Sequence, residues 1–229
     1  MKLQHLRMTV NDLFSIEHSF TGPWLEKYEQ PWDALPGISQ IIGQLTAQLP
    51  SDFHERLPGV WVGQGTVIED SALIQGPAII GRRCRIRHNA FIRNLVILGD
   101  RVMVGNASEV KNAILFDEVQ VPHFNYVGDS ILGYKAHLGA GAILSNYKST
   151  GDEIHAYIND HKVGTGLRKF GALIGDRVEI GCNAVLYPGS IIGPDSIIYP
   201  LQGVRGTLPA RHIQKADGTI VARQFPKEE

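Results

Sequence analysis

The sequence predicts an all-β fold: a parallel β-helix of hexapeptide repeats with a short N-terminal helical segment. Stepping six residues at a time meets ten large apolar residues in succession, namely Val62, Ile68, Ile74, Ile80, Ile86, Ile92, Leu98, Val104, Val110 and Phe116. Small or β-branched residues stand four positions after most of these, and glycine often follows directly. A period of six fits neither an amphipathic helix nor a two-residue alternation. It fits a triangular coil in which each side takes one hexapeptide.

Residues 1–58 lack this period. A proline opens a predicted short helix over residues 23–28, and residues 37–49 have the spacing of an amphipathic helix. We expect these helices to cover the open end of the coil, which would otherwise expose unpaired strand edges. The predicted organisation is therefore a helical cap over 1–58, the coil over 59–205, and a tail over 206–229 packed along the outside.

The repeat is interrupted twice. After Phe116 it resumes at Leu132 with a phase shift of four, and a third run extends from Ile174 to Val204. Residues 148–171 separate the second and third runs and are polar and glycine-rich, so we expect a loop that protrudes from one corner. Loops on a rigid scaffold often carry functional residues. His123 lies between the first two runs and is placed at the phase shift.

Composition excludes several classes of protein. The 229 residues include 22 basic and 23 acidic side chains, so neither nucleic acid nor a membrane surface is an expected partner. The two cysteines, Cys84 and Cys182, fall at repeat positions far apart, which favours a reducing cytoplasm over a disulfide framework. No signal peptide or membrane-spanning stretch is predicted from the apolar pattern.

Two cations have the spacing of one full turn. Arg93 and Lys111 stand 18 residues apart, so three hexapeptides would stack them on one face. Two stacked cations suit a phosphate group. The alternative is a solvated basic face, to which Arg85 and Arg87 would also belong.

Four motifs carry a resemblance to a known family. They are VGNASEVK at 104–111, PHFNYVGD at 122–129, LGAG at 138–141 and SNY at 145–147. Together they resemble the acetyltransferase half of the bifunctional glucosamine-1-phosphate acetyltransferase/N-acetylglucosamine-1-phosphate uridyltransferase enzymes. GLRKFGALIGD at 166–176 resembles the archaeal-type sugar nucleotidyltransferases that carry this coil at their C-terminus. The resemblance covers about residues 60–205 and implies that the coil winds left-handed.

The resemblance also implies residue roles. The implied catalytic residues are His123, as general base for the sugar amine, and Asn146, as a donor to the oxyanion. The implied substrate-binding residues are Arg93, Lys111, Tyr126, His137 and Lys169. The implied acetyl-CoA contacts are Ala140, Tyr147 and Cys182.

Histidine suits proton transfer near neutral pH, although a corner histidine bonded to a neighbouring turn is the alternative for His123. His137 departs from the family pattern, because the bacterial enzymes carry asparagine there. The identity of the sugar is therefore open. Cys182 is not expected to be a nucleophile, since no base is adjacent in sequence.

The expected function is an acetyl-CoA-dependent N-acetyltransferase acting on an amino-sugar 1-phosphate or a nucleotide amino sugar, working as a homotrimer and requiring no metal. A nucleotidyltransferase domain is not expected, because residues 1–58 are too few and lack a phosphate-binding loop. A non-catalytic sugar-phosphate-binding or structural trimer is the alternative.

A third class of protein with this fold, the γ-type carbonic anhydrases, holds zinc with three histidines, two of them five residues apart. The coil histidines His88, His123 and His137 lie 35 and 14 residues apart, which does not fit that zinc site.

Overall fold

The computed structural model describes residues 7–225 and shows a stacked parallel coil. Its strands are β1 Phe53–Leu57, β2 Val60–Gly63, β3 Val67–Ile68, β4 Leu73–Ile74, β5 Ala78–Ile80, β6 Arg85–Ile86, β7 Phe91–Ile92, β8 Val96–Leu98, β9 Met103–Asn106, β10 Glu109–Leu115, β11 Gln120–His123, β12 Tyr126–Leu132, β13 His137–Leu138, β14 Ile143–Leu144, β15 His155–Ile158, β16 His161–Gly164, β17 Ala172–Ile174, β18 Glu179–Ile180, β19 Val185–Leu186, β20 Ser190–Ile192, β21 Ile197–Ile198, β22 Gly203–Val204, β23 Thr207–Leu208, β24 His212–Gln214 and β25 Ile220–Ala222.

The strands form three faces of a triangular prism. Face 1 contains β2, β5, β8, the second halves of β10 and β12, β17, β20 and β23. Face 2 contains β3, β6, β9, β11, β13, β18, β21 and β24. Face 3 contains β4, β7, the first halves of β10 and β12, β14, β19 and β22. The predicted fold class, a left-handed parallel β-helix of hexapeptide repeats, is confirmed.

The aliphatic residues of the repeat form the core. Val104 and Leu138 on face 2 and Val110 and Leu144 on face 3 are fully buried. Each such residue pairs in register with its equivalent in the next turn, as Ile86 does with Val104. Stacked strands are about 4.8 Å apart, so every turn covers the apolar layer of its neighbour.

The N-terminal helices lie along face 1 rather than over the end of the coil. They comprise α1 Gly22–Leu25, α2 Ile38–Thr46 and 3-10 helices at Val10–Asp12, Ile16–His18 and Pro31–Gly37. The Phe14 ring packs on Phe116 with centroids 5.2 Å apart, and Trp32 packs on Phe170 at 6.0 Å. The expected end cap is therefore wrong. Face 1 is apolar outside as well as inside, because Ile79, Ile97 and Ile114 alternate with its inward residues and are buried too.

The open edge of the first turn is covered by a strand instead. β1 pairs antiparallel with β2, the first strand of the coil. At the other end, β23 and β24 continue the coil to Gln214, and β25 pairs antiparallel with β24. The predicted boundary at 205 was therefore too early, because the last turn has lost the six-residue period while keeping parallel pairing.

The excursion at 148–171 folds back onto the coil. It contains the antiparallel hairpin of β15 and β16. Ile154, Ala156 and Ile158 are buried, and the Thr207 hydroxyl donates a hydrogen bond to the Tyr157 carbonyl. The hairpin and the N-terminal helices thus cover face 1, and faces 2 and 3 remain uncovered by them. None of the helices within residues 7–225 is long and apolar enough to cross a membrane.

The phase shift consists of two short turns. On face 1, Ile80 pairs with Leu98 after 18 residues, whereas Leu98 pairs with Leu115 and Leu115 with Leu132 after 17 each. Each of these two turns is one residue short of three hexapeptides, so together they move the repeat back by two positions. In a period of six, a shift back by two positions is the same as a shift forward by four, which is the phase shift seen in the sequence. Phe116 is not an inward residue, since Leu115 holds that position and Phe116 packs outward on Phe14.

Candidate active site at the corner between faces 3 and 1

Both omitted residues fall at the corner between faces 3 and 1. There β10 and β12 run through the corner as seven-residue strands. Asn112 and Asp129 occupy the shortened corner with φ of 44° and 50°, in the left-handed region that asparagine and aspartate tolerate. His123 is not at the shift as expected, because Val121 and Val127 keep the normal spacing of six. The irregularity in the repeat marks Asn112 and Asp129 instead.

Arg93 and Lys111 occupy the same position in adjacent turns beside this corner. Glu109 pairs with Phe91 and Val110 with Ile92, which places Lys111 one layer from Arg93. Each cation has a carboxylate partner: Arg93 donates to Glu109 at 2.9 Å, and Lys111 donates to Asp129 at 3.2 Å. Arg85 and Arg87 lie at β6 on face 2, so they do not belong to this column.

Asp129 organises the corner. Its side chain is 6% exposed and accepts hydrogen bonds from three donors. Asn112 Nδ2 donates to Oδ1 at 2.8 Å, while Lys111 Nζ and Asn146 Nδ2 both donate to Oδ2. A buried carboxylate needs such donors to offset its lost hydration. The sequence prediction missed Asp129, and the shortened turn was the available signal.

The Tyr126 hydroxyl lies over Gly128, beside the Asn146 side chain. A Cβ built on Gly128 would lie 2.6 Å from the Tyr126 hydroxyl and 2.8 Å from Asn146 Nδ2, so only glycine leaves room for both. Burial raises the pKa of Tyr126, and the charges of Asp129 and Glu109 raise it further. The phenol therefore stays protonated and can donate a hydrogen bond near neutral pH.

Six of the predicted site residues line one open cleft of about 490 Å³: Arg93, Lys111, Tyr126, Asn146, Tyr147 and Lys169. The loop brings Lys169 there because the Phe170 amide donates to the Asn146 carbonyl at 3.0 Å. The Tyr147 side chain is half exposed. The Asn146 side chain donates to Asp129 through Nδ2 and also hydrogen-bonds to the Tyr126 hydroxyl. We call this the upper cleft.

The other four predicted residues lie on face 2 or at the corner between faces 2 and 3. His123 ends β11 on face 2 and is exposed, and the Gly141 amide donates to its carbonyl. Ala140 and Cys182 follow in the next turns, in line with the pairing of Leu138 with Ile180. His137 Nδ1 lies 2.7 Å from Glu179 Oε2 on the same face. None of the four is among the described residues that line the upper cleft.

The two thiols differ in environment. Cys84 is buried, and burial raises its pKa to about 12. Cys182 is exposed.

We expect the folded protein to consume one equivalent of a thiol reagent quickly and a second only after denaturation, because the thiolate is the reactive form. The Cys182→Ser variant should show no fast phase, and a fast phase in that variant would contradict the placement of Cys84.

No group of three or more His, Cys, Asp or Glu side chains within residues 7–225 is arranged to hold a metal ion. Two histidines of the coil have other partners: His88 Nδ1 lies 2.8 Å from the Ser71 hydroxyl, and His137 is bound to Glu179.

Comparisons with known proteins agree with this description. The family model of the GMPPB C-terminal domain matches residues 74–163. The bifunctional protein GlmU of Methanococcus vannielii is 32% identical over 189 residues, which are 81% of this chain and 45% of the relative. The bifunctional sugar-1-phosphate nucleotidylyltransferase/acetyltransferase of Sulfurisphaera tokodaii is 32% identical over 199 residues, 79% of this chain and 46% of the relative. The chain thus spans less than half the length of these relatives.

Among solved structures, a perosamine N-acetyltransferase of Caulobacter crescentus, in complex with CoA and GDP-perosamine, is 19% identical with a TM-score of 0.40. The match covers 69% of this chain and 56% of that one. The fold and the cleft define a left-handed β-helix of the hexapeptide-repeat class with a cationic cleft at one corner. Within that class, the chain resembles the bifunctional sugar-1-phosphate nucleotidylyltransferase/acetyltransferases over most of its length.

Proposed function

We propose that the protein is an acetyl-CoA-dependent N-acetyltransferase whose acceptor is an amino-sugar 1-phosphate or a nucleotide amino sugar. The observation that carries this proposal is the upper cleft, where two stacked cations, a protonated tyrosine and an asparagine amide meet. The similarity to a bifunctional relative whose name includes an acetyltransferase activity supports it.

The phosphate of the acceptor binds between Arg93 and Lys111. Their partners Glu109 and Asp129 hold both cations in place and leave further N–H groups free, since a guanidinium has five and an ammonium three. Lys169 lines the same cleft and adds a third positive charge. The three cations exceed the two carboxylates by one, which favours an anionic ligand.

Acetyl transfer forms a C–N bond and breaks the C–S bond of the thioester. The sugar amine attacks the acetyl carbonyl, and His123 accepts the proton that the amine loses. Asn146, whose side chain hydrogen-bonds to Tyr126 in the structure, turns its amide N–H to the oxyanion of the tetrahedral intermediate. Collapse of that intermediate releases the thiolate, which takes up a proton to give CoA.

These roles require two corners to meet. His123, His137, Ala140 and Cys182 lie at or near the corner between faces 2 and 3, whereas the upper cleft opens at the corner between faces 3 and 1. In a homotrimer with sites shared between adjacent coils, one copy supplies the cleft and the next supplies His123. The exposed Phe124, 59% accessible beside His123, is the kind of apolar residue that such an interface covers.

The assembly is tested by light scattering. We expect a mass near three times 25.2 kDa at micromolar concentration. A monomer would contradict the shared site, because His123 and the upper cleft lie at different corners of one coil and could not then act on the same substrate.

Removing either cation should weaken acceptor binding. Arg93→Ala or Lys111→Ala loses a charge-assisted contact to phosphate worth about 1.5–3 kcal/mol, which raises the acceptor KM about 10- to 150-fold. The KM for acetyl-CoA should change little. Arg85→Ala is the matched control, since it removes one positive charge from face 2. An unchanged acceptor KM in both cleft variants would mean that these cations form only a solvated face.

The second candidate is a non-catalytic trimer that binds a sugar phosphate. Asp129 holds both Lys111 and Asn146 in place by hydrogen bonds, which suits a preformed binding site with or without chemistry. Release of CoA thiol separates the two candidates. We expect thiol release from acetyl-CoA with at least one member of a panel of amino-sugar 1-phosphates and nucleotide amino sugars, with an acetylated product by mass spectrometry. Binding of an acceptor without thiol release would favour the non-catalytic trimer.

A further inference from the structure

A second cleft, of about 420 Å³, opens further along the same corner. It is lined by Lys148, Ser149, Thr150, Tyr187, Pro188 and Arg205. It shares no lining residue with the upper cleft, although Tyr147 of the upper cleft precedes Lys148 directly. We call it the lower cleft.

The lower cleft continues the column of the phosphate-binding cations. Leu144 pairs with Leu186 and Leu186 with Val204, so Tyr187 and Arg205 hold the position that Arg93 and Lys111 hold in earlier turns. A ligand lying parallel to the coil axis can therefore contact both clefts. The layers from Lys111 to Arg205 extend over roughly 20 Å at the spacing of stacked strands.

The charges in the lower cleft favour an anion. The Arg205 guanidinium is exposed and has no hydrogen-bond or ion-pair partner within residues 7–225. The Lys148 ammonium donates to the Glu153 carbonyl at 2.5 Å, which fixes its position and leaves two donors. None of the six lining residues is acidic. Glu153 is the carboxylate close to Lys148, and its Oε1 accepts from the Gly166 amide at 2.8 Å.

The lower cleft also offers an aromatic surface. The Tyr187 side chain is 49% exposed. Its hydroxyl end packs against Gly203, where a built Cβ would lie 3.4 Å from the hydroxyl. About half of the side chain thus remains accessible to a ligand. An accessible aromatic ring beside cations suits a nucleobase and its phosphates, and the hydroxyls of Ser149 and Thr150 can hydrogen-bond a ribose or a phosphate.

We propose that the lower cleft binds a nucleoside phosphate, with Arg205 and Lys148 on the phosphate groups and Tyr187 stacked on the base. Two substrates of the proposed function carry this group: the bisphosphorylated adenosine end of acetyl-CoA and the nucleoside diphosphate of a nucleotide amino sugar. The assignment to either substrate rests on the proposed function, whereas nucleotide binding itself does not.

Calorimetric titration of the full chain tests the proposal. The probes are adenosine 3′,5′-bisphosphate for the coenzyme end, and UDP, GDP and dTDP for an acceptor nucleotide. We expect one of these two kinds of probe to bind the wild-type protein. Its Kd should rise at least about tenfold in Arg205→Ala and in Lys148→Ala, which corresponds to about 1.4 kcal/mol. Arg85→Ala is the charge-matched control and should change the Kd less than about twofold.

The two kinds of probe distinguish which substrate the lower cleft binds. If Arg205→Ala and Lys148→Ala weaken binding of the adenosine bisphosphate, the lower cleft is assigned to the coenzyme. If they weaken binding of a nucleoside diphosphate, it is assigned to the acceptor. Failure of all four probes to bind, or an unchanged Kd in both variants, overturns the proposal. So does an equal effect of Arg93→Ala, because the nucleotide would then lie in the upper cleft. Because these are binding measurements, they stand even if no acetyl transfer is found.

Discussion

His123→Ala should lower kcat by about 10²- to 10⁴-fold while the protein stays trimeric and still binds acetyl-CoA, because loss of a general base typically has this effect. The residual rate should rise with pH, since a larger fraction of the acceptor amine is then unprotonated without help. The His123 side chain is exposed and its contacts to other turns run through its backbone, so the substitution should leave the coil intact. The measurement is a pH profile of kcat for both proteins.

His137→Ala is the control for this prediction. His137 lies on the same face and is bound to Glu179, so its loss removes an equally large imidazole. It should change the preference among acceptor sugars more than the pH profile. If His123→Ala acetylates at the wild-type rate with the same pH dependence, the base assignment is wrong.

Asp129→Ala should reduce both stability and acceptor binding. The substitution leaves Lys111, which is 15% exposed, without its partner and frees the amides of Asn112 and Asn146. Removing one member of a buried ion pair costs about 3–5 kcal/mol. We expect the lower part of that range, about 3 kcal/mol, because the Lys111 side chain can turn toward solvent. Urea denaturation at fixed protein concentration measures the change in the free energy of unfolding.

Asp152→Ala serves as the comparison, since Asp152 is an exposed carboxylate outside the corner. It should change the free energy of unfolding by less than about 0.5 kcal/mol. Equal effects of the two substitutions would mean that Asp129 does not organise the upper cleft.

The repeat made the coil predictable. Each inward residue contacts its equivalent in the next turn, so a period of six in the sequence reports directly on packing. The column of Arg93 and Lys111 followed from the same period, because the turns between them are regular. Tyr126, Asn146 and Lys169 came from the motif resemblance, and the structure brings them to this column.

What the sequence could not show depends on contacts between distant segments. Phe116 continued the apolar run, yet it is apolar because it packs on Phe14, which lies about a hundred residues earlier. Because Phe116 fits the count of six, the first short turn looks regular in the sequence, and Asp129 is not recognisable there as a corner residue. The helices were expected at the end of the coil, because nothing local in residues 1–58 specifies which apolar surface they cover. His123 is close in sequence to Tyr126, yet the two lie on different faces, because the chain turns the corner between faces 2 and 3 after His123. Sequence distance alone therefore does not show that His123 lies outside the upper cleft.

The central claim is that the upper cleft binds the phosphate of an acceptor that is then acetylated. The most direct measurement compares kcat/KM for an amino-sugar 1-phosphate with that for the same sugar without phosphate, in the wild-type protein and in Lys111→Ala. We predict that the wild-type protein prefers the phosphorylated acceptor at least about tenfold, and that Lys111→Ala removes most of this preference, since one contact to phosphate is worth about 1.5–3 kcal/mol. Equal preference in the two proteins, or acetylation that is indifferent to the phosphate, would contradict the claim.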